Sequence, residues 1–264
     1  MPPDEHELES DSGMRLFRHE LRSQMRLYGR SRELAFFTFA LPLIMFFLLG
    51  SVYGNDRIKA EGNVRAADYL LAGMLGYGAI ATGFAGLSIM LVIRRESGIL
   101  KRVRATPLPA WGYVVALLCT TLIAFGLEAV CMIAIGRIFF HTHVHNLFSL
   151  ALALLLGAAA FTALGVALTV LIKSAEGSSA VVNAIYLPAA FLAGAFFSPR
   201  HFPQVLRAIA DVLPLTYFLR LVRNVMLHGH EIWTQGTNVA VITAWGAVGV
   251  VVALRYFRWE PHEG

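Results

Sequence analysis

Residues 147–172 read LFSLALALLLGAAAFTALGVALTVLI, a run without one charged side chain. About 20 apolar residues suffice for a helix to cross the hydrocarbon core of a bilayer. Within hydrocarbon, a helix satisfies its own backbone hydrogen bonds, so this run reads as a transmembrane helix. Five further apolar runs flank it: Leu34–Gly54, Tyr69–Ile93, Trp111–Phe140, Val181–Phe197 and Val239–Tyr256. The chain is therefore predicted to be an all-α integral membrane protein with six spans.

Composition agrees. Mean hydropathy is +0.62, and only 15% of residues are charged, against about 25% in soluble domains. Little chain remains between the runs for a soluble catalytic module. Residues 1–13 are polar and acidic and are expected to form a disordered tail, leaving one membrane domain over 14–264. No cleavable signal peptide is evident, because the first apolar run follows a long charged leader. Cys119 and Cys131 fall on one predicted helix about 18 Å apart, too far to bridge, and read as apolar filler.

An even number of spans puts both termini on one side. If that side is the cytoplasm, the basic clusters at 15–32, 94–104 and 255–258, together with Lys173, lie inside. These hold 14 of the 22 Lys and Arg residues, which satisfies the positive-inside rule. The expected location is the inner (plasma) membrane, multi-pass, with cytoplasmic termini. Met14–Arg32 carries an apolar stripe (Met14, Phe17, Leu21, Met25, Tyr28) beside an arginine stripe, the pattern of an interfacial amphipathic helix. Outside, Ser198–Asn238 is punctuated by Pro199, Pro203 and Pro214, with helical apolar periodicity after each of the last two. It is predicted to form a pair of amphipathic helices dipping into or lying on the outer leaflet before the last span.

Several chemistries are excluded. No Gly precedes Lys59, Lys101 or Lys173, so the chain has no phosphate-cradling P-loop. The His-Glu-x-x-His zinc motif and the Gly-x-Ser-x-Gly hydrolase elbow are absent as well. His141, His143 and His145 alternate outside the third span, with no Cys or carboxylate nearby in sequence to complete a metal site. The ionisable group that stands out inside a span is Glu128, with Asn183 a weaker polar position. A buried intramembrane carboxylate is costly and marks function by default, although an interhelical hydrogen bond accounts for it equally well.

The joint between the second and third spans, residues 94–109, reads RRESGILKRVRATPLP. It resembles the corresponding joint of ABC-2 type permeases, the membrane subunits of ATP-binding-cassette exporters. Their run is Arg-Glu-x-Gly-x-Leu-basic-Arg closing on Thr-Pro, matched here by Arg95, Glu96, Gly98, Leu100, Lys101, Arg102, Thr106 and Pro107. Pro214, Leu215 and Tyr217, followed by Arg223, are similar to that family's Pro-Leu-x-Tyr-x5-Arg stretch. Phe196-Phe197-Ser198-Pro199 resembles its exit from the fifth span. Within the family, the chain looks most like daunorubicin-type drug-resistance permeases.

The resemblance implies a half-transporter that pairs with a second permease subunit, identical or divergent, and docks on a separate dimer of ABC ATPase subunits. ATP and Mg would sit on that partner, leaving no cofactor in this chain; membrane lipids, not nucleic acid, complete its surroundings. It further implies that residues 96–104 form a cytoplasmic coupling helix, with Arg95, Glu96, Gly98, Leu100, Lys101, Arg102 and Arg104 as coupling residues and the turn at 173–177 adding contacts. A pathway for an amphiphilic drug, lipid or glycan-like substrate would draw on Phe37, Phe46, Glu128, Asn183, Phe196 and Phe197. As plain residues, the aromatics equally suit helix packing, and the arginines equally suit topology and lipid anchoring. The competing functional classes are an ATPase-independent channel or secondary transporter, a membrane-embedded enzyme, and a non-transporting scaffold.

Overall fold

A 31-residue helix, Ala66–Glu96, forms the buried centre of the bundle. The computed structural model describes residues 40–104 and 110–257. The leader helix, Phe37, Thr106 and Pro107 lie outside them. In chain order, the helices are α1 (Leu41–Tyr53), α2 (Ala66–Ala79), α3 (Leu87–Glu96), α4 (Ile99–Arg104), α5 (Ala110–Phe140), α6 (Leu147–Leu168), α7 (Ala175–Leu192), α8 (Gln204–Ala210), α9 (Pro214–His228) and α10 (Gly236–Tyr256). A π-helical segment, Ile80–Gly86, joins α2 to α3 without a break. Single π turns inside α-helices are uncommon and cluster at functional sites.

Four helices among the described residues are long and apolar enough to cross a membrane: Ala66–Glu96, Val115–Phe140, Leu147–Leu168 and Gly236–Tyr256. They correspond to four of the six expected spans. The described part of the first run is the 13-residue α1. The fifth run is α7, displaced toward the N-terminus relative to the sequence reading. It starts at Ala175 because Ser174 caps it, the hydroxyl accepting from Gly177 N at 3.2 Å. It ends at Leu192, because Gly194 takes a left-handed φ of +82° and turns the chain. The loop after α1 carries a feature the sequence reading lacks, a two-residue antiparallel ladder pairing β1 (Arg57–Ile58) with β2 (Val64–Arg65). Arg65 then donates to the Phe140 carbonyl at 2.8 Å, a cation placed on the C-terminal end of α5.

The segment before the last span forms the helix pair α8–α9. Pro214 opens α9 at its first position and Gly229, at φ +70°, closes it. The α9 stripe Leu215, Phe218, Leu219, Val222, Val225 and Met226 is fully buried. It packs on α2, α6 and α10, so α9 spends its apolar face on protein instead of on a leaflet. Small residues make this approach possible: a Cβ on Gly157 of α6 would sit 2.2 Å from the Phe218 ring. The small-residue spacing Ala153–Gly157 in the sequence thus serves the packing of α6 against α9.

Candidate functional site

The end of the bundle that carries α4 gathers every described residue of the expected coupling set. Ser97 and Gly98 turn the chain out of α3, Gly98 at φ +72° with open space around its missing Cβ. That geometry favours glycine, since any side chain in the left-handed region is strained. Leu100 is fully buried among Leu87, Met90, Leu91, Tyr113, Leu117 and Val166, with Val103, Ala253 and Phe257 packed alongside. One leucine therefore pins the six-residue α4 to α3, α5, α6 and the end of α10. Periodicity does the rest, because with Leu100 inward, Ile99, Lys101, Arg102 and Arg104 are exposed.

Arg95, like Arg94 beside it, is buried, unlike the basic residues of α4. Its side chain is 2% exposed. Its guanidinium donates to Glu96 Oε1 at 2.9 Å, to the Thr169 carbonyl at 3.0 Å and to the Ile172 carbonyl at 2.5 Å. Those carbonyls belong to the turns that follow α6, where i→i−3 hydrogen bonds at Thr169–Ile172 end the helix. The fourth run thus stops being α-helical at Leu168, four residues before the expected end. A cation on a helix C-terminus is favoured by the dipole, and a planar fork can serve several acceptors at once. Arg95 so joins the α3–α4 corner to the 169–174 turn and brings two segments named separately by the resemblance, residues 96–104 and 173–177, side by side. Lys173 and Ser174 are exposed there. The resulting face is basic and is backed by the buried Leu100 and Arg95.

The second sequence motif sits at the opposite end of the bundle. Arg223 of α9 lies over the Tyr69 ring, 3.8 Å from its centroid, and donates to the Gly194 carbonyl at 2.5 Å. Beside it, Glu61 accepts from Ser198 Oγ at 2.5 Å and pairs with Arg200 at 3.3 Å. Leu215 is buried, and Tyr217 carries the Arg220 guanidinium over its ring at 5.3 Å. Arg220 also pairs with Asp211 at 2.5 Å, and Thr216 donates to the Ala210 carbonyl at 2.6 Å, fixing the α8–α9 elbow. The motif residues therefore lock α9, α2 and the exit of α7 together.

The chain belongs to the ABC-2 type transporter family. The family's model matches residues 15–227, which include both motifs. No curated protein matches the chain. An ABC-2 chain is a multi-pass membrane permease of an ABC transporter, is not itself the catalytic component, and works with an ABC ATPase subunit.

The described members of the pathway set expected for this ABC-2 permease have different environments. Phe46 is fully buried, edge-to-face with Phe140 at 5.4 Å. Glu128 is fully buried, accepting from Thr82 Oγ1 at 2.9 Å, with its other oxygen beside Gly78 and unpaired among the described residues. Asn183 is exposed on α7. Phe196 is buried between Phe191 and Tyr77, whereas Phe197 is 59% exposed. Among the described residues no three His, Cys, Asp or Glu side chains converge on a metal site, although the fold brings the Asp68 carboxylate to 3.1 Å from His143 N. Thr82, Thr169 and Ile172 escaped the sequence reading. Their partners lie tens of residues away, and an uncharged hydroxyl or a backbone carbonyl leaves no signal in one sequence.

Proposed function

We propose that this permease is half of an exporter whose membrane domain has six spans and a re-entrant α8–α9 pair. In this reading, its α4 face is the coupling helix that sits on the ATPase. The observation that carries the proposal is the pairing of Leu100 and Arg95. They clamp α4 and the 169–174 turn to the bundle while Lys101, Arg102 and Arg104 face outward. A rigid lever of that kind transmits a partner's movement into the helices, whereas a loose loop would absorb it. ATP and Mg would bind the separate ATPase subunits, and closure of those subunits would shift the permease between states of different substrate affinity.

Two permease subunits, identical or divergent, would pair. The route for an amphiphilic drug, lipid or glycan-like substrate would run between them. This is supported by the exposure of Asn183 and Phe197 on the single chain. The basic α4 end would face the cytoplasm, as would both termini, and the Arg223 end would face outward, following the positive-inside rule. The test is co-expression with a candidate ABC ATPase subunit, reconstitution, and ATP hydrolysis with and without Glu96→Ala/Arg102→Ala. Co-purification, with hydrolysis that falls in the variant, supports the reading. A monodisperse permease that ignores the ATPase yet conducts solute on its own would replace it with an autonomous channel or secondary transporter.

A further inference from the structure

An apolar groove of about 270 Å³ runs between α5 and α6 on a side of the bundle used by neither motif. Its walls include Gly126, Val130 and Ile133 of α5 and Leu147, Leu154 and Ala158 of α6. Both helices are long and apolar enough to span the membrane, so the groove opens onto the bilayer. Gly126 is exposed, and a Cβ built on it meets nothing within 4 Å. The groove is therefore open where a side chain would ordinarily fill it.

Charge stands at one end of the groove. Gly126, Val130, Ile133 and Arg137 follow one another at spacings of four, three and four, which places them on one stripe of α5. Arg137 thus caps the groove one turn beyond Ile133. Its side chain is exposed and makes no hydrogen bond or ion pair with the described residues. The same end carries Phe148 and Trp233, their rings 6.3 Å apart and both mostly exposed. Exposed Trp at a helix end marks the level of the lipid headgroups. An apolar channel at acyl depth below an unpaired guanidinium at headgroup depth matches one chemistry, a phospholipid. Arginine suits a phosphate because its planar fork donates to two oxygens.

We infer that the α5–α6 groove is a binding site for a single anionic phospholipid, one acyl chain along Gly126–Ile133 and the phosphate on Arg137. The site is independent of the docking face and of any ATPase. Native mass spectrometry of the full chain in mild detergent tests it, with phosphatidylglycerol and the phosphate-free dioleoylglycerol as probes. The expected result is one phosphatidylglycerol per chain. Arg137→Gln should bind it about fivefold more weakly, the effect of one basic residue at a membrane surface, while dioleoylglycerol binding stays unchanged. Gly126→Phe should lose both lipids, with Gly126→Ala as the folding control. Equal retention of phosphatidylglycerol by Arg137→Gln overturns the proposal, as does unchanged binding by a folded Gly126→Phe chain. A change of oligomeric state in Gly126→Phe with lipid binding intact would assign the groove to a second copy and overturn it as well.

Discussion

Arg95 and Ile172 meet across the seam between α3 and the end of α6, guanidinium nitrogen to backbone carbonyl at 2.5 Å. The Thr169 carbonyl accepts from the same side chain. Arg95 is buried structure, and Lys101 and Arg102, six and seven residues on, are exposed surface.

That contrast separates two variants. Arg95→Ala removes charge-assisted hydrogen bonds and should lower stability by about 2 kcal/mol in reversible unfolding from mixed micelles. Arg95→Lys should recover little of it, because an ammonium lacks the fork that reaches both carbonyls. Lys101→Ala should leave stability within about 0.5 kcal/mol and change only ATPase coupling. Equal loss in Arg95→Ala and Lys101→Ala would remove the distinction.

Gly157 and Phe218 set the approach of α6 to α9, the new Cβ falling 2.2 Å from the ring. Gly157→Leu should destabilise the chain by about 1–3 kcal/mol or more through overpacking. Phe218→Ala should cost about 3–5 kcal/mol as a large-to-small core change. The double variant should be more stable than the sum of the two, because the truncated ring leaves room for the leucine. Simple additivity would show that the two side chains do not share that space.

The neighbours Phe196 and Phe197 should part company. Phe196→Ser buries a hydroxyl between Phe191 and Tyr77 and should reduce the yield of folded protein. Phe197→Ser changes an exposed ring and should alter transport at unchanged yield. The check is size-exclusion yield beside vesicle transport. Unchanged transport in Phe197→Ser would take it out of the route.

Thr82 and Glu128 tie the π segment to α5 at 2.9 Å. Glu128→Gln keeps an acceptor for Thr82 and should preserve stability, whereas Thr82→Val should cost about 1 kcal/mol. Thermal unfolding of both variants measures the difference. A severe loss in Glu128→Gln would mean that the carboxylate has a role beyond accepting this hydrogen bond.

Much of the fold was legible because apolar length and Pro punctuation are local signals. The run at 111–140 became α5 almost residue for residue, and Pro214 opened α9 where the sequence put a second amphipathic helix. Tertiary contacts were not legible. The amphipathic stripe of α9 has the same periodicity whether it meets lipid or Gly157, and only the fold shows that it meets protein. Likewise the 94–104 cluster reads as one strongly basic stretch, yet Arg94 is buried and Arg95 is held inside by carbonyls more than 70 residues away. The candidate segment was therefore legible in the sequence, whereas its division into buried and exposed side chains needed the fold.

In the proposed exporter the α4 face touches the ATPase. A photo-crosslinking residue placed at Arg102, in the full permease co-expressed with its ATPase, tests it most directly, with Val205 of α8 as the control at the opposite end. Contact through α4 gives a permease–ATPase adduct from position 102 and none from position 205. An adduct from 205 alone, or none from 102 in a complex that still co-purifies, would contradict it.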